Sequence, residues 1–120
     1  MTIARFFLDT YAMIEILRGT PSYKKFAGGE FATLYTDLLE LHYAVLRDFD
    51  SATAEREVEV FRPSLVPLDL DWIPLAAEIK LRLKVSYGDA LGYVAAGALG
   101  IPFLTGDDAF KDEPGVEFVK

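Results

Sequence analysis

No cysteine occurs in the 120 residues, which excludes a disulfide scaffold, thiolate zinc sites and a cysteine nucleophile. A single histidine, His42, excludes the multi-histidine sites of zinc and non-haem iron. No apolar run approaches the ~20 residues that a membrane-spanning helix needs. Met1 to Asp9 lack the long apolar stretch and small-residue cleavage site of a signal peptide. Positive charge is scarce as well: 12 Lys and Arg stand against 19 Asp and Glu, a net charge of −7. Tight non-specific binding to nucleic acid, which feeds on phosphate contacts by cations, is therefore not expected. An enzyme that meets nucleic acid through bound cations remains open. These absences make a soluble cytoplasmic protein the working class.

What is present is a core. Apolar residues make up 52% of the chain and aromatics 13%, too much for a disordered segment. The length suits one domain over residues 1–120. Ile3 to Leu8 reads as a short buried strand, and Asp9-Thr10 opens a helix with apolar residues from Tyr11 to Leu17. Gly19-Thr20-Pro21 stops it, and a weaker helical turn follows from Pro21 to Phe26. Phe31 to Tyr35 is strand-like, and Thr36-Asp37 caps a helix from Asp37 to Phe49. That helix has one apolar stripe of Leu38, Leu41, Val45 and Phe49 and a second of Leu39, Tyr43 and Leu46, so burial on two sides is expected. Ser51 caps a polar helix from Ala52 to Phe61, and Leu65 to Leu68 is a brief strand. Trp72, Leu75, Ala76, Ile79 and Leu83 form the stripe of the next helix. Another runs from Tyr87 to Leu99, closed by Gly100 and Pro102. Phe103 to Thr105 and Val116 to Val119 complete the strands. Strands separated by helices mean right-handed crossovers, hence a three-layer α/β/α sandwich around a parallel sheet.

That topology gathers particular acids. In a parallel sheet every strand ends, and every crossover helix begins, at the same edge. Asp9 follows the first strand, Glu40 lies near the start of the helix after the second, Asp89 near the start of the helix feeding the fourth, and Asp107 just past that strand. This is the edge where open α/β sheets bind ligands. Each acid alone has a plain structural explanation. Asp9 and Asp107 suit N-caps, and Ser86-Tyr87-Gly88-Asp89 matches a capping box. Glu40 suits the positive end of a helix dipole. Together they differ. Glu40 stands between Leu39 and Leu41, where an acid is costly unless paired or metal-bound. Four converging like charges raise one another's pKa values or require a divalent cation. Carboxylates without thiolate or imidazole suit Mg²⁺ or Mn²⁺, ions that commonly serve phosphoryl transfer.

The same residues resemble the motifs of PIN domains. Phe7-Leu8-Asp9-Thr10 with Met13-Ile14-Glu15-Ile16-Leu17 is similar to that family's opening, and Thr36-Asp37-Leu38-Leu39-Glu40 to its second acidic motif. Asp89-Ala90-Leu91, Ala95-Ala96 and Gly100-Ile101-Pro102-Phe103-Leu104-Thr105-Gly106-Asp107 resemble the third and fourth, and Phe110 and Gly115-Val116 also fall in place. The likeness spans essentially the whole chain and implies a PIN-like fold. Small stand-alone members are mostly VapC-type toxins of prokaryotic toxin–antitoxin pairs. It further implies that Asp9, Glu40, Asp89 and Asp107 are the catalytic, metal-binding acids, with Thr10 and Thr105 supporting them. The implied reaction is hydrolysis of an RNA phosphodiester with Mg²⁺ or Mn²⁺, and the implied partners are a homodimer mate and a cognate antitoxin. An arginine of that antitoxin is expected to plug the acids, since its planar cation pairs bidentately with carboxylates. Tyr11 departs from the small or amide residue common at its position, and Asp108 adds an acid beside the fourth. A PIN-fold scaffold or RNA-binding module without catalysis is the alternative.

Other features weigh less. His42, two positions after Glu40, points away from it on a helix and suits a core or interface. The glycines lack phosphate-loop spacing. Lys80, Arg82 and Lys84 could grip RNA or simply be a solvated face, and Arg18, Lys24 and Lys25 are a weaker candidate of the same kind.

Overall fold

The computed structural model describes residues 5–120. Four strands form one sheet: β1 (Arg5–Leu8), β2 (Glu30–Ala32), β3 (Phe103–Thr105) and β4 (Val116–Phe118). Their order is β2-β1-β3-β4, and every pair is parallel. The expected start of β1 at Ile3 lies outside the described residues. Five α-helices cover the sheet: α1 (Thr10–Arg18), α2 (Tyr35–Asp48), α3 (Ser51–Phe61), α4 (Trp72–Leu83) and α5 (Tyr87–Leu99). The expected α/β/α sandwich with a parallel sheet is the observed fold.

Side chains along a strand alternate between faces, and this divides the core in two. Leu8 of β1 and Leu104 of β3 pack with Met13, Leu38, Leu41, Val45 and Phe61 on the side of α1–α3. Phe7 and Phe103, one residue earlier in each strand, join Ala76, Ala90, Ala95, Ala96 and Phe110 on the side of α4 and α5. A sheet buried on both faces explains why these strands read as continuous apolar runs. Gly92 belongs to this packing. A Cβ there would stand 3.0 Å from the Phe7 ring and 3.3 Å from the Phe103 ring, so its absence lets α5 lie close on the sheet.

Four expectations need correction. Leu65 to Leu68 forms no strand, only a bridge between Leu65 and Thr33. The Thr33 N–H donates to Ser64 O at 3.0 Å, and the Val66 N–H donates back to Thr33 O at 3.0 Å. The ladder stops there because Pro63 and Pro67 flank it and proline has no N–H to give. The second strand ends at Ala32 instead of Tyr35, and α2 begins at Tyr35 instead of Asp37. Asp37 sits inside the first turn, where its carboxyl receives the Leu34 N–H at 3.4 Å and draws the chain into the helix early. Asp50, not Ser51, caps α3: its Oδ1 accepts from the Thr53 N–H at 2.7 Å, a span that a carboxylate one residue earlier reaches. Finally, α2 buries only one stripe within this chain. Leu38, Leu41 and Val45 are buried, but Leu39, Tyr43 and Leu46 are exposed because among the described residues no helix covers that side, and Phe49, just past the helix, is exposed as well.

Candidate active site

The chain leaves β1 toward β2 on one side, while β3 lies on the other. Strand order therefore switches between β1 and β3, and their C-terminal ends frame a crevice. Leu8 pairs with Leu104, which brings the next residues, Asp9 and Thr105, side by side. The Thr105 hydroxyl donates to Asp9 Oδ2 and in turn accepts the Asp107 N–H at 3.0 Å. The Ala12 N–H donates to Asp9 Oδ1 at 2.8 Å, so Asp9 is also the N-cap of α1. Both oxygens of this carboxylate, which is 2% exposed, are thus fixed from either side.

The other acids arrive from three further segments. Glu40 extends from the second turn of α2 and accepts from the Thr10 hydroxyl through Oε2 at 3.0 Å. Asp89 rides the first turn of α5, whose cap Ser86 accepts the Asp89 N–H at 3.1 Å. Asp107 caps the short 3₁₀ turn Asp108–Phe110 by accepting the Ala109 N–H at 3.0 Å. Three of the four therefore take part in the caps that their sequence suggested and still face the crevice. Two glycines let its walls pack closely. A Cβ on Gly88 would stand 3.1 Å from Glu40 Oε1, and one on Gly106 would collide with the Tyr11 ring and sit 2.5 Å from Val119 O.

The resulting cavity is about 370 Å³, lined by Asp9, Thr10, Tyr11, Glu40, Asp89, Gly106, Asp107, Asp108 and Lys120. Every acid and threonine named from the sequence lies on it except Thr105, which stands behind Asp9. Its electrostatics are strained. Burial pushes the Asp9 carboxyl up from 3.8 to about 7, against the hydrogen bonds from Thr105 and Ala12 and with help from the charges of Asp89 and Asp107. Burial, then the Glu40 charge, lifts Asp89 to about 6, with Asp107 adding a smaller push and Ser86 working the other way.

Asp37, expected from the sequence as a cap, does more. It is 1% exposed, and burial, reinforced by the charges of Asp9, Glu40 and Asp89, holds its pKa well above the usual carboxylate range. Thr33 has one hydroxyl proton and gives it to Leu8 O at 2.9 Å. Its 3.3 Å contact with Asp37 Oδ2 is then a hydrogen bond only if Asp37 is protonated and donates. A neutral Asp37 thus ties α2, through Thr33, to the residue before Asp9. Its position three residues before Glu40, on one helix face, was the available signal.

The discounted residues also find places. Asp108 is exposed and paired with Lys120 at 3.2 Å, while Lys120 lies 5.9 Å from the Tyr11 ring centroid. His42 is half-buried and does not line the cavity. Arg82 pairs with Glu113 at 2.6 Å, so Lys80, Arg82 and Lys84 do not act as one grip. Arg18 faces Glu15 at 3.9 Å.

Among the described residues, no three Asp, Glu or His side chains are gathered tightly enough to enclose an ion as they stand. The carboxylates line the cavity instead of meeting in it. The donor set still suits a hard cation: it is all oxygen, Asp9 and Asp89 carry raised pKa values, and Glu40 and Asp107 are part-exposed. A divalent ion would favour the ionised forms of Asp9 and Asp89 against the burial and mutual repulsion that lift their pKa values.

A family model described as PIN domain matches residues 6–115. Among curated proteins no sequence matches this chain. Several solved structures share its fold. The toxin VapC20 of Mycobacterium tuberculosis, described as cleaving the sarcin–ricin loop, has a TM-score of 0.75 at 19% identity, covering 96% of this chain and 99% of that one. VapBC-5 of the same organism, a toxin–antitoxin system, gives 0.68 at 24% identity over 98% of each chain. VapBC2 of Rickettsia felis, bound to a DNA fragment from its promoter, gives 0.71 at 18% identity over 96% and 97%.

Proposed function

This chain belongs to the PIN-domain family, and from that premise we propose that it is a Mg²⁺- or Mn²⁺-dependent endoribonuclease, the toxin of a toxin–antitoxin pair. One observation carries the reading: Asp9, Glu40, Asp89 and Asp107, from four separate segments, line one cavity at the strand-order switch. On this reading Asp9, Asp89 and Asp107 would hold the ion, and Glu40 would complete its shell or orient the attacking water. A divalent ion held there would supply the acidification of a water and the charge to stabilise a leaving oxygen. Thr105 fixes the angle of the Asp9 carboxylate, and Thr10 fixes that of Glu40. Gly88 lets Glu40 lie close against the start of α5, and Gly106 lets the Tyr11 ring pack against the backbone beside Asp107. Residues 1–120 act as one nuclease domain.

The test is RNA cleavage by purified protein. Products are expected with Mn²⁺ or Mg²⁺, none in EDTA, and a Mn²⁺ site of millimolar affinity or better by calorimetry. Cleavage that persists in EDTA overturns the metal mechanism. A folded protein with neither cleavage nor a Mn²⁺ site supports the non-catalytic scaffold instead.

The remaining parts of the proposal concern setting and partners. Among the described residues no helix is long and apolar enough to cross a membrane, and we place the protein in the cytoplasm. Structural relatives include toxin–antitoxin complexes, which supports a cognate antitoxin; the acid-lined cavity suits a cationic side chain from it. Leu39, Tyr43 and Leu46 on the open face of α2 are 66%, 61% and 47% exposed. A patch of that kind favours a two-fold homodimer. Light scattering at micromolar concentration should give twice the 13.4 kDa protomer mass, and a protomer mass would remove the dimer.

A further inference from the structure

The first turn of α5 has two sides. Asp89 faces the acid cavity. Tyr87, two residues earlier and so about 200° around the helix axis, faces the end of α4 and is 76% exposed. Lys80 Nζ lies over one face of the Tyr87 ring, 4.5 Å from its centroid, and donates to Val85 O at 2.9 Å, which anchors the ammonium on that face. Lys84 ends α4 with φ at 59°, the left-handed region that glycine usually fills at this position. A side chain is retained there at a backbone cost. Lys80, Lys84, Tyr87, Ala77 and the 83%-exposed Leu81 border a shallow depression of about 500 Å³. Among the described residues neither lysine is paired with a carboxylate, whereas Arg82 and Lys120 both are.

We propose that this depression is a nucleotide subsite, in which a base of single-stranded RNA stacks on Tyr87 and a phosphate lies between Lys80 and Lys84. The inference rests on the ribonuclease reading and extends it to how the strand is held. A chain of net charge −7 whose cavity is lined by acids repels RNA at the point of reaction. It needs a cationic anchor to one side, and phosphate contacts supply that attraction. With Lys80 over one face of the exposed ring, the other face is open to any base, and the ammonium adds a charge for the backbone. Tyr87 and Asp89 stand on opposite sides of a helix about 10–12 Å across. A strand over the start of α5 therefore places the stacked base beyond the phosphate that faces the acids.

Binding is measured by fluorescence anisotropy in EDTA, with a labelled single-stranded RNA of mixed sequence and about 12 nucleotides, within the usual range of site sizes. Tyr87→Ala is expected to weaken binding about 5- to 100-fold, as loss of one stacked base does. Tyr87→Phe should stay within about twofold of wild type, and Lys84→Gln should flatten the salt dependence by about one phosphate contact. In Mn²⁺-dependent cleavage, Tyr87→Ala should raise KM by the same factor and leave kcat nearly unchanged. Melting temperatures should not move, because the ring is exposed. Wild-type binding by Tyr87→Ala, or no RNA binding by the wild type, overturns the subsite. So does an unchanged RNA affinity accompanied by loss of dimer mass or of affinity for an acidic peptide, which would assign the depression to a protein partner. The two readings separate cleanly. If the wild type binds RNA through Tyr87 but never cleaves it, the nuclease reading fails alone. If it cleaves and Tyr87→Ala is indifferent, the subsite fails alone.

Discussion

Asp9→Asn is expected to abolish RNA cleavage and, in the same molecule, to stabilise the cation-free protein above pH 7. Both effects come from one buried carboxylate. Removing its charge removes the deepest ion ligand of the proposed site. Metal stabilisation of a phosphoryl-transfer transition state is worth several kcal/mol, so a loss of about a thousandfold or more is expected. Folding responds the other way. Asn keeps the shape and can still accept the Ala12 N–H that Asp9 Oδ1 accepts now. It also abolishes the cost of an ionised group that is 2% exposed and near Asp89 and Asp107. Rate assays with Mn²⁺ and urea unfolding in EDTA at pH 8 check the two halves. A variant that loses activity by unfolding would show a lower urea midpoint, and retained cleavage would remove Asp9 from the chemistry.

The second large effect is a stability that falls as pH rises, so long as no divalent cation is present. Asp9 titrates at 3.8 when unfolded and at about 7 when folded. Between those values the native state holds the extra proton, so stability decreases with increasing pH. The contribution is fully present below about pH 4 and gone above about pH 7. For Asp9 alone it amounts to about 4 kcal/mol, and the raised Asp37 and Asp89 act in the same direction. Urea unfolding in EDTA should therefore give a lower midpoint at pH 8 than at pH 5. Added Mn²⁺ at pH 8 should restore it, by about 2.7 kcal/mol at a hundred times its Kd. Asp9→Asn should flatten much of the slope. A midpoint that rises from pH 5 to pH 8 in EDTA would contradict the burial of an unneutralised Asp9.

Most of the architecture was legible in the sequence because it rests on local rules. Helices α1, α4 and α5 are bounded by signals that act within one turn: Asp9 and Gly19, the apolar stripe from Trp72 to Leu83, Ser86 and Gly100. Alternating strands and helices then left a parallel sheet, and its geometry alone assigned Asp9, Glu40, Asp89 and Asp107 to one edge. Periodicity could not decide the stretch from Phe31 to Leu68. Whether Leu65 to Leu68 becomes a strand depends on donors available across a gap, and two prolines removed them. Whether α2 starts at Tyr35 or Asp37 depends on a carboxyl that becomes buried only when β1, Thr33 and α2 come together.

Strand direction and helix order follow from the chain's apolar pattern, and with them the edge that these acids share. Their ionisation states came from packing. Burial and mutual charge set the pKa values of Asp9 and Asp89, and burial beside Thr33 raises that of Asp37. Two helix ends brought together turn Tyr87 and two lysines into a candidate subsite. Those are properties of distance and of exclusion from water, and neither is a function of position along the chain.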